Sequence, residues 1–202
     1  MRLLIASGNE HKVAEISRLL AGTGWEVVSL RDFPDLELPP EDADSFAGNA
    51  EIKARAGAAA TGLWTLADDS GLAVDYLGGA PGVHSARYAG EEKDDEANNR
   101  KLLAAMADCP RERRTARFIC ALVLVGPQGQ VYRTEGRCEG RIGYEGRGEQ
   151  GFGYDPLFWL ESLGERNVTM AELSMAEKNR LSHRAAALEA MLPHLLELAA
   201  QE

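Results

Sequence analysis

The sequence predicts an α/β fold built around a mixed β-sheet. Segments with a strand pattern alternate with segments of helical pattern along most of the chain, which is typical of this fold class. Two strand-like segments joined at Pro127-Gln128-Gly129 indicate a hairpin, so at least one pair of strands is antiparallel. The run from Phe118 to Val125 is apolar at every position, as expected of a central strand that is covered on both faces.

The individual elements follow from the same patterns and from polar or conformationally special residues at their ends. Asn9 and Ser45 are expected to cap two helices, Gly62 to end the second of these, and Pro193 to bend or restart the last helix. In chain order, we predict a strand at 2–6, a helix at 10–21, a strand at 25–30, an acidic loop at 32–44, a helix at 46–62, a strand, an acidic corner and a second extended piece over 63–79, a helix at 94–107, the hairpin over 116–140 and helical segments from 169 to 201.

Length and composition fit one globular domain. The 202 residues include 45% apolar and 27% charged residues, so we expect a single domain over 1–202 with an ample core. The three cysteines are widely spaced and are expected to be reduced thiols, with Cys120 buried in a strand.

Charge and hydropathy exclude several classes of function. The net charge is −10, so most of the surface repels nucleic acid and anionic lipid, and we expect neither as a partner. The chain has no apolar run of about 18 residues that would cross a membrane. Its N-terminal segment lacks the features of a signal peptide, so a cytoplasmic location is expected. An anionic ligand would therefore be small and held by a local cationic pocket or a metal.

The first candidate site is the corner between the first strand and the first helix. A helix N-terminus offers N–H groups and the positive end of the helix dipole, which attract phosphate. Gly8 lets a ligand approach the main chain, Ser7 and Asn9 add hydrogen-bonding groups, and Lys12 adds a full charge. The alternative is a capped surface helix with a solvated lysine.

The second candidate site is the acidic corner "LADDSG" at 66–71. Asp68 and Asp69 are expected at a strand end, with Ser70 and Gly71 turning the chain. Adjacent carboxylates suit Mg²⁺, and one of them could deprotonate an attacking water. The alternative is an ordinary aspartate-rich turn.

The third candidate is the stretch "GFGYDP" at 151–156, where a purine could stack on Phe152 or Tyr154. The alternative is a glycine-rich loop that places its aromatic side chains in the core.

The fourth candidate is "SMAEKNRLSHR" at 174–184. Lys178, His183 and Arg184 supply hydrogen-bond donors within a short distance along the chain, and Ser182 is a candidate cap for a new helix. The alternative is a solvated basic face.

Taken together, these stretches resemble the inosine triphosphate pyrophosphatase family, which acts on non-standard purine nucleoside triphosphates. The resemblance covers nearly the whole chain in family order. The matching stretches are "SGNEHK" (7–12), "NAEIKA" (49–54), "ADDSGLAVDYLGGAPGVHSARYAG" (67–90), "GFGYDP" (151–156) and "AELSMAEKNRLSHR" (171–184). It implies one nucleoside triphosphate pyrophosphatase domain over 1–202, with an elongated mixed sheet flanked by helices and two lobes with the active-site cleft between them. It also implies a homodimer that requires Mg²⁺ and converts ITP, dITP or XTP to the monophosphate and pyrophosphate.

The resemblance also implies a role for each matching residue. Asp69 would be the catalytic base, with Asp68 and Lys53 beside it in catalysis. The residues that would hold the polyphosphate are Ser7, Gly8, Asn9, Lys12 and Lys53. The residues that would contact the rest of the substrate are Ser70, Phe152, Gly153, Tyr154, Asp155, Lys178, His183 and Arg184.

The acidic loop departs from the family pattern. Pro40 stands where the family often carries an acid, and Gly48 stands where it often carries a glutamate. Glu41 remains, and the resemblance implies Glu41 and Asp69 as metal ligands. Three alternatives stay open: a pyrophosphatase of similar fold acting on modified pyrimidine nucleotides, a nucleotide-binding module without turnover, and a purely structural α/β protein.

Overall fold

The computed structural model describes residues 1–161 and 167–200, and its described strands form one six-stranded sheet. The strands are β1 (Arg2–Ile5), β2 (Glu26–Ser29), β3 (Trp64–Val74), β4 (Thr115–Val125), β5 (Val131–Ile142) and β6 (Phe158–Leu160). The helices are α1 (Glu10–Leu19), α2 (Phe46–Thr61), α3 (Asp95–Ala105), α4 (Met175–Leu181) and α5 (His183–Ala199).

The sheet is mixed, which confirms the predicted α/β class. The strand order is β2-β1-β3-β4-β5-β6. β1 pairs in parallel with β2 and with β3, where Leu4 lies opposite Val28 and Thr65 respectively. β5 pairs in antiparallel fashion with β6, with Arg141 opposite Trp159. The hairpin is also confirmed, because β4 and β5 are neighbours joined by the predicted turn.

The chain divides into two compact units. Unit 1 comprises residues 1–69, 120–136 and the described chain from 184 onward, and unit 2 comprises the described residues of 70–119 and 137–183. Within unit 1, successive residues of the strands point to opposite faces of the sheet. One face carries Leu66 in a cluster with α1 and α5, and the other carries Ala67 in a cluster with α2. Unit 2 has its own apolar cluster, which includes Leu102 of α3 and Phe158 of β6.

The predicted acidic corner is wrong. β3 runs without interruption from Trp64 to Val74, so Asp68 and Asp69 lie in mid-strand, and Ser70-Gly71 does not turn the chain. The prediction relied on the local preference of Asp, Ser and Gly for turns. In the structure, residues that are distant in the sequence override that preference, because two cations bind Asp68 and the amide of Asn49 binds Asp69 inside the sheet.

The C-terminal helical segments are confirmed in outline and differ in detail. A short 3₁₀ turn, Met170–Glu172, precedes α4, and α5 begins directly after Ser182, the predicted cap. α5 continues through Pro193 without restarting. Gln201, the predicted end of this region, lies outside the described residues.

Two further sequence predictions concern thiols and membrane spans. Cys109, Cys120 and Cys138 are free, as expected, and Cys120 is buried in β4, as predicted. Cys109 and Cys138 are buried as well. None of the helices in the described chain is long and apolar enough to cross a membrane.

Candidate active site

The structure distributes the predicted site residues over both units. Those in unit 1 are Ser7, Gly8, Asn9, Lys12, Glu41, Lys53, Asp68, Asp69 and Arg184. Those in unit 2 are Ser70, Phe152, Gly153, Tyr154, Asp155, Lys178 and His183. The residues of unit 1 are described first, followed by those of unit 2.

The corner between β1 and α1 is organised by Asn9. Its Oδ1 accepts the N–H groups of His11 and Lys12 at 3.0 and 3.3 Å, so the predicted cap is confirmed. The Oγ of Ser7 accepts the N–H of Asn9 at 3.3 Å. Gly8 is exposed, and apart from Gly8 and its two chain neighbours no described atom lies within 4 Å of the position a Cβ would take there. Because the cap already uses two N–H groups of the first turn, attraction for an anion at this corner depends more on the charge of Lys12.

Lys12 belongs to a buried network of four charged side chains. Its Nζ lies 2.9 Å from Oδ2 of Asp68, a residue with no solvent exposure. The guanidinium of Arg184 lies 3.4 Å from the same oxygen and donates from Nη1 to Glu15 at 2.6 Å. Burial disfavours the charged form of Asp68, but Lys12, Arg184 and Lys53 outweigh burial and hold the pKa of this carboxyl well below its usual range. Asp68 is therefore a fixed negative charge that keeps two cations in place.

Lys53 brings a second ammonium group to the same strand. α2 is capped by Ser45, whose Oγ accepts the N–H of Gly48 at 3.1 Å, and it carries Lys53 on its buried face. Nζ of Lys53 donates to the main-chain oxygen of Asp68 at 2.6 Å and to Glu41. Burial lowers the pKa of Lys53, but the charges of Asp68 and Glu41 more than reverse this effect, so the pKa is raised and the side chain stays charged.

The departure from the family pattern at Gly48 has a local structural counterpart. A Cβ at this position would stand 2.7 Å from Cβ of Ala43 and 3.0 Å from Oγ of Ser45. A side chain here would therefore displace the end of the acidic loop.

Asp69 has different surroundings from its neighbour Asp68. Its Oδ2 accepts a hydrogen bond from Nδ2 of Asn49 at 3.0 Å, and Asn49 Oδ1 accepts the N–H of Ala43 at 2.9 Å. Burial raises the pKa of the Asp69 carboxyl above its usual value, and the charge of Lys53 and the bond from Asn49 offset this only in part. Two adjacent carboxyl groups whose pKa values are pushed in opposite directions are typical of a division of roles, in which the more basic one handles protons.

The oxygen atoms near Lys53 suit a hard divalent cation. Glu41 and Asp69 provide carboxylates and Asp68 a main-chain carbonyl, and the ammonium of Lys53 already binds two of these groups. In the described residues, no cluster of three or more His, Cys, Asp or Glu side chains could hold a metal ion. Mg²⁺ is often bound by one or two carboxylates, with water and substrate phosphates completing its octahedral shell. The donor set therefore fits a magnesium ion that is bound together with a polyphosphate.

In unit 2, the loop at 151–155 holds Phe152 beside a lysine. The N–H of Phe152 donates to Oδ2 of Asp155 at 3.0 Å, and Lys178 donates to the same oxygen at 2.6 Å. Nζ of Lys178 lies 4.8 Å from the centroid of the Phe152 ring. A Cβ at Gly151 would stand 2.1 Å from Asp155 Oδ2, so this close packing requires glycine.

Tyr154 is a core residue. It is 4% exposed, lies in the apolar cluster of unit 2 and donates its hydroxyl to the main-chain oxygen of Ser85 at 2.8 Å. Of the two aromatic side chains considered for purine stacking, the half-buried Phe152 is therefore the better candidate.

The donors at 178–184 do not share one environment. Lys178 lies beside Phe152, whereas the ring of His183 stacks on Phe118 with centroids 4.9 Å apart. Arg184 is buried against Glu15 and Asp68 within unit 1. Ser70 lies in β3 directly after Asp69. The predicted substrate contacts of these residues stay predictions.

Sequence reasoning missed Glu15 and Asn49 as parts of the site. Glu15 follows Lys12 by three positions on α1, a spacing that places both on one helix face. Asn49 precedes Lys53 by four positions on α2, so the same rule applies. The helical spacing of these residues was visible in the sequence. The sequence did not show that both helix faces meet the aspartates of β3.

The fold and the charged groups around Asp68 and Asp69 define an α/β protein suited to binding a small polyanion. The chain belongs to the Ham1 family, whose sequence model matches residues 3–194. It is 51% identical over 189 residues to a dITP/XTP pyrophosphatase of Desulforamulus reducens, covering 94% of this chain and 92% of that protein. It is 50% identical over 207 residues to a dITP/XTP pyrophosphatase of Corynebacterium efficiens, with full coverage of both. A solved structure of a HAM1 protein from Coxiella burnetii has 39% identity and a TM-score of 0.88, covering 98% of this chain and 99% of that one.

Proposed function

We propose that this chain is a nucleoside triphosphate pyrophosphatase that hydrolyses non-standard purine nucleotides such as ITP, dITP and XTP. The products are the nucleoside monophosphate and pyrophosphate, so the reaction clears deaminated purines from the nucleotide pool. The observation that carries the proposal is the placement of Lys12 and Lys53 against the Asp68-Asp69 pair of β3. Relatives named dITP/XTP pyrophosphatases, about half identical over nearly the whole chain, support the substrate class.

The unit 1 residues would act on the triphosphate. The two ammonium groups neutralise the charge that develops on the leaving pyrophosphate, while Ser7, Gly8 and Asn9 surround the phosphate chain. Such positioned charges supply most of the catalysis in phosphoryl transfer. Asp69 orients a water molecule toward the α-phosphorus and takes its proton, which its raised pKa favours. Asp68 holds Lys12 and Arg184 in place.

A bound Mg²⁺ would supply positive charge on the phosphate oxygens. Glu41 and Asp69 would hold it, as their oxygen donors suit this ion. Glu41 also forms an ion pair with Lys53.

The unit 2 residues would contact the base. Phe152 offers its ring for stacking, and Lys178 beside it can only donate hydrogen bonds. Hypoxanthine and xanthine carry an oxygen acceptor at C6, whereas adenine carries an amino donor there, so a lysine donor favours the oxo bases. A donor facing another donor can cost about 10⁴-fold in kcat/KM. The other unit 2 residues proposed to contact the substrate are His183, Ser70, Gly153 and Asp155.

The decisive experiment measures product release from a nucleotide panel with and without Mg²⁺. ITP, XTP, dITP, ATP, GTP and modified pyrimidine triphosphates are compared, and pyrophosphate is distinguished from orthophosphate. We expect pyrophosphate as the first product and ITP well above ATP in kcat/KM. Orthophosphate as the first product would contradict attack at the α-phosphorus. Binding of ITP without turnover would identify a nucleotide-binding module instead.

The resemblance also supports a single pyrophosphatase domain over 1–202 and a location in the cytoplasm. It further supports a homodimer, in which two copies of this chain associate. Light scattering after size-exclusion chromatography measures the oligomeric state, and a monomer at micromolar concentration would contradict the dimer.

A further inference from the structure

Both polar main-chain groups of Gly153 are held by side chains of α3. Oδ2 of Asp95 accepts the N–H of Gly153 at 2.7 Å, and Nδ2 of Asn99 donates to its carbonyl oxygen at 3.0 Å. Asp95 and Asn99 are four residues apart and therefore lie on the same face of the helix. We name this pair the Gly153 clamp.

Gly153 lies in a turn, where its N–H and carbonyl groups are bound by side chains and not by a strand or helix. Its φ of +62° lies in the left-handed region, and it belongs to a turn rather than to a strand or helix. The next residue is fixed, because Tyr154 is packed in the core and bonded to Ser85. On the other side stands Phe152, whose ring is half buried. Asp155 holds the N–H of Phe152, and Asp95 holds the N–H of Gly153 in the next peptide group, so the clamp fixes the main chain on the C-terminal side of Phe152.

α3 is a rigid support for this clamp. Leu102 is fully buried in the core of unit 2. The side chain of Asn98 accepts the N–H of Ala89 at 2.6 Å and donates to Ala86 O at 3.1 Å. The face that carries Asp95 and Asn99 is thus fixed by contacts that do not involve Gly153.

Asn99 makes its bond to Gly153 at a cost. Its Oδ1 is buried and has no hydrogen-bond partner among residues 1–161 and 167–200. A buried acceptor without a partner destabilises the folded state, and such groups in native proteins call for an explanation. An apolar side chain would avoid that cost, so the donor of Asn99 serves the conformation of the loop.

We propose that Asp95 and Asn99 are positioning residues for the substrate base. They fix the peptide next to Phe152 and thereby hold its ring beside Lys178, where the base stacks. This inference rests on the proposed function, because it assumes that Phe152 stacks on the base. It predicts that loss of the clamp weakens contacts to the nucleoside and leaves contacts to the phosphates unchanged.

Three variants remove one side of the clamp: Asn99→Ala, Asn99→Asp and Asp95→Ala. They are compared with Asp95→Asn, which retains an acceptor for the N–H of Gly153, and with the control Glu96→Ala. Glu96 lies in the same turn of α3 and pairs with Arg100 on the surface. Calorimetric titrations use IMP and inorganic pyrophosphate as probes, and kcat and KM are measured for ITP.

For Asn99→Ala and Asn99→Asp we expect roughly tenfold weaker IMP binding and a similar rise in KM, as for the loss of one well-formed hydrogen bond. The affinity for pyrophosphate and kcat should each change less than about threefold, which is smaller than the effect expected for the loss of one hydrogen bond. Asp95→Asn and Glu96→Ala should match the wild type. Asp95→Ala should resemble Asn99→Ala.

Two results would overturn the clamp: IMP binding equal to the wild type in the Asn99 variants, or equal losses for IMP and pyrophosphate. A wild-type protein that does not hydrolyse ITP would contradict the proposed function, but the IMP titrations would still decide the clamp. If the wild type did not bind IMP at all, the clamp would fail together with the base site.

Discussion

Replacement of Arg184 by methionine separates two roles for this residue. The resemblance assigns Arg184 to the nucleotide base, whereas the structure buries its guanidinium against two carboxylates. Nη1 lies 2.6 Å from Glu15, and Nη2 lies 3.4 Å from Asp68. Methionine approximates the length of the side chain but removes its charge and its donors.

The expected cost follows from what remains after the change. Glu15 and Asp68 are 4% and 0% exposed, so the change removes a guanidinium from two buried carboxylates, while Lys12 stays 2.9 Å from Asp68. Removing one partner from a buried charge network typically costs about 3–5 kcal/mol, because the negative charges that remain are not solvated and lose part of their compensation. For a chain of 202 residues, about 2–4 °C of melting temperature is lost per kcal/mol, so Arg184→Met should melt about 6–20 °C lower.

Differential scanning calorimetry measures this change, with Arg117→Met as the matched control. Arg117 pairs with Asp75 and Glu139 near the surface, so its loss should cost at most about 1 kcal/mol. The double variant Glu15→Leu/Arg184→Met should recover part of the loss, because it also removes a buried carboxylate that pairs with Arg184. If Arg184→Met melted within about 2 °C of the wild type yet lost its preference for ITP over ATP, the arginine would be a base contact and the reasoning would be refuted.

Three further changes test the proposed chemistry and the packing. Asp69→Asn should lower kcat by about 10²- to 10⁴-fold at unchanged fold, as measured by pyrophosphate release, because the general base is lost; near-native kcat would exclude Asp69 as the base. Lys53→Met should lower kcat by about 10²- to 10³-fold, since one group that stabilises the leaving pyrophosphate is gone, whereas Lys101→Met, a surface lysine bonded to the carbonyl of Tyr88, should not. Burial raises the pKa of Cys120 and of Cys138 to about 12, so the reactive thiolates form only as the pH approaches that value. The native protein should therefore not react with Ellman's reagent at these thiols at pH 8, and the denatured protein should; rapid reaction of the native thiols would contradict the burial.

The features that sequence reasoning predicted correctly are those with local causes. Asn9 and Ser45 cap their helices through side chains that reach N–H groups two or three residues away, and Gly62 ends α2 in the left-handed conformation. These interactions depend on neighbours in the sequence, so residue type and spacing are sufficient. The strand pattern of residues 118–125 is likewise a local consequence of burial on both faces.

The features that were missed depend on partners far away in the sequence. Asp68 is stable inside a strand because Arg184, 116 residues later, and Lys12 reach its carboxylate. The network includes Glu15, whose position on α1 gives no sign of a partner on α5. Similarly, Phe152 and Tyr154 are aromatic residues in the same short stretch, so their sequence context does not distinguish them. In the structure, Tyr154 packs in the core of unit 2, whereas Phe152 is half buried.

The continuity of β3 determines how the two aspartates divide their work. Successive residues of a strand point to opposite faces, and the apolar neighbours show which face is which: Leu66 packs with α1 and α5, and Ala67 packs with α2. By this alternation Asp68 shares its face with Leu66 and meets the cations of α1 and α5, while Asp69 meets Asn49 on α2. A turn would have placed both carboxylates together as a pair of equivalent metal ligands. A strand instead gives one carboxylate whose pKa is lowered by the cations that it holds, and a second, more basic one for which we propose the roles toward water and metal. The mid-strand position of "DD" is therefore the physical reason that two identical neighbours can have different roles.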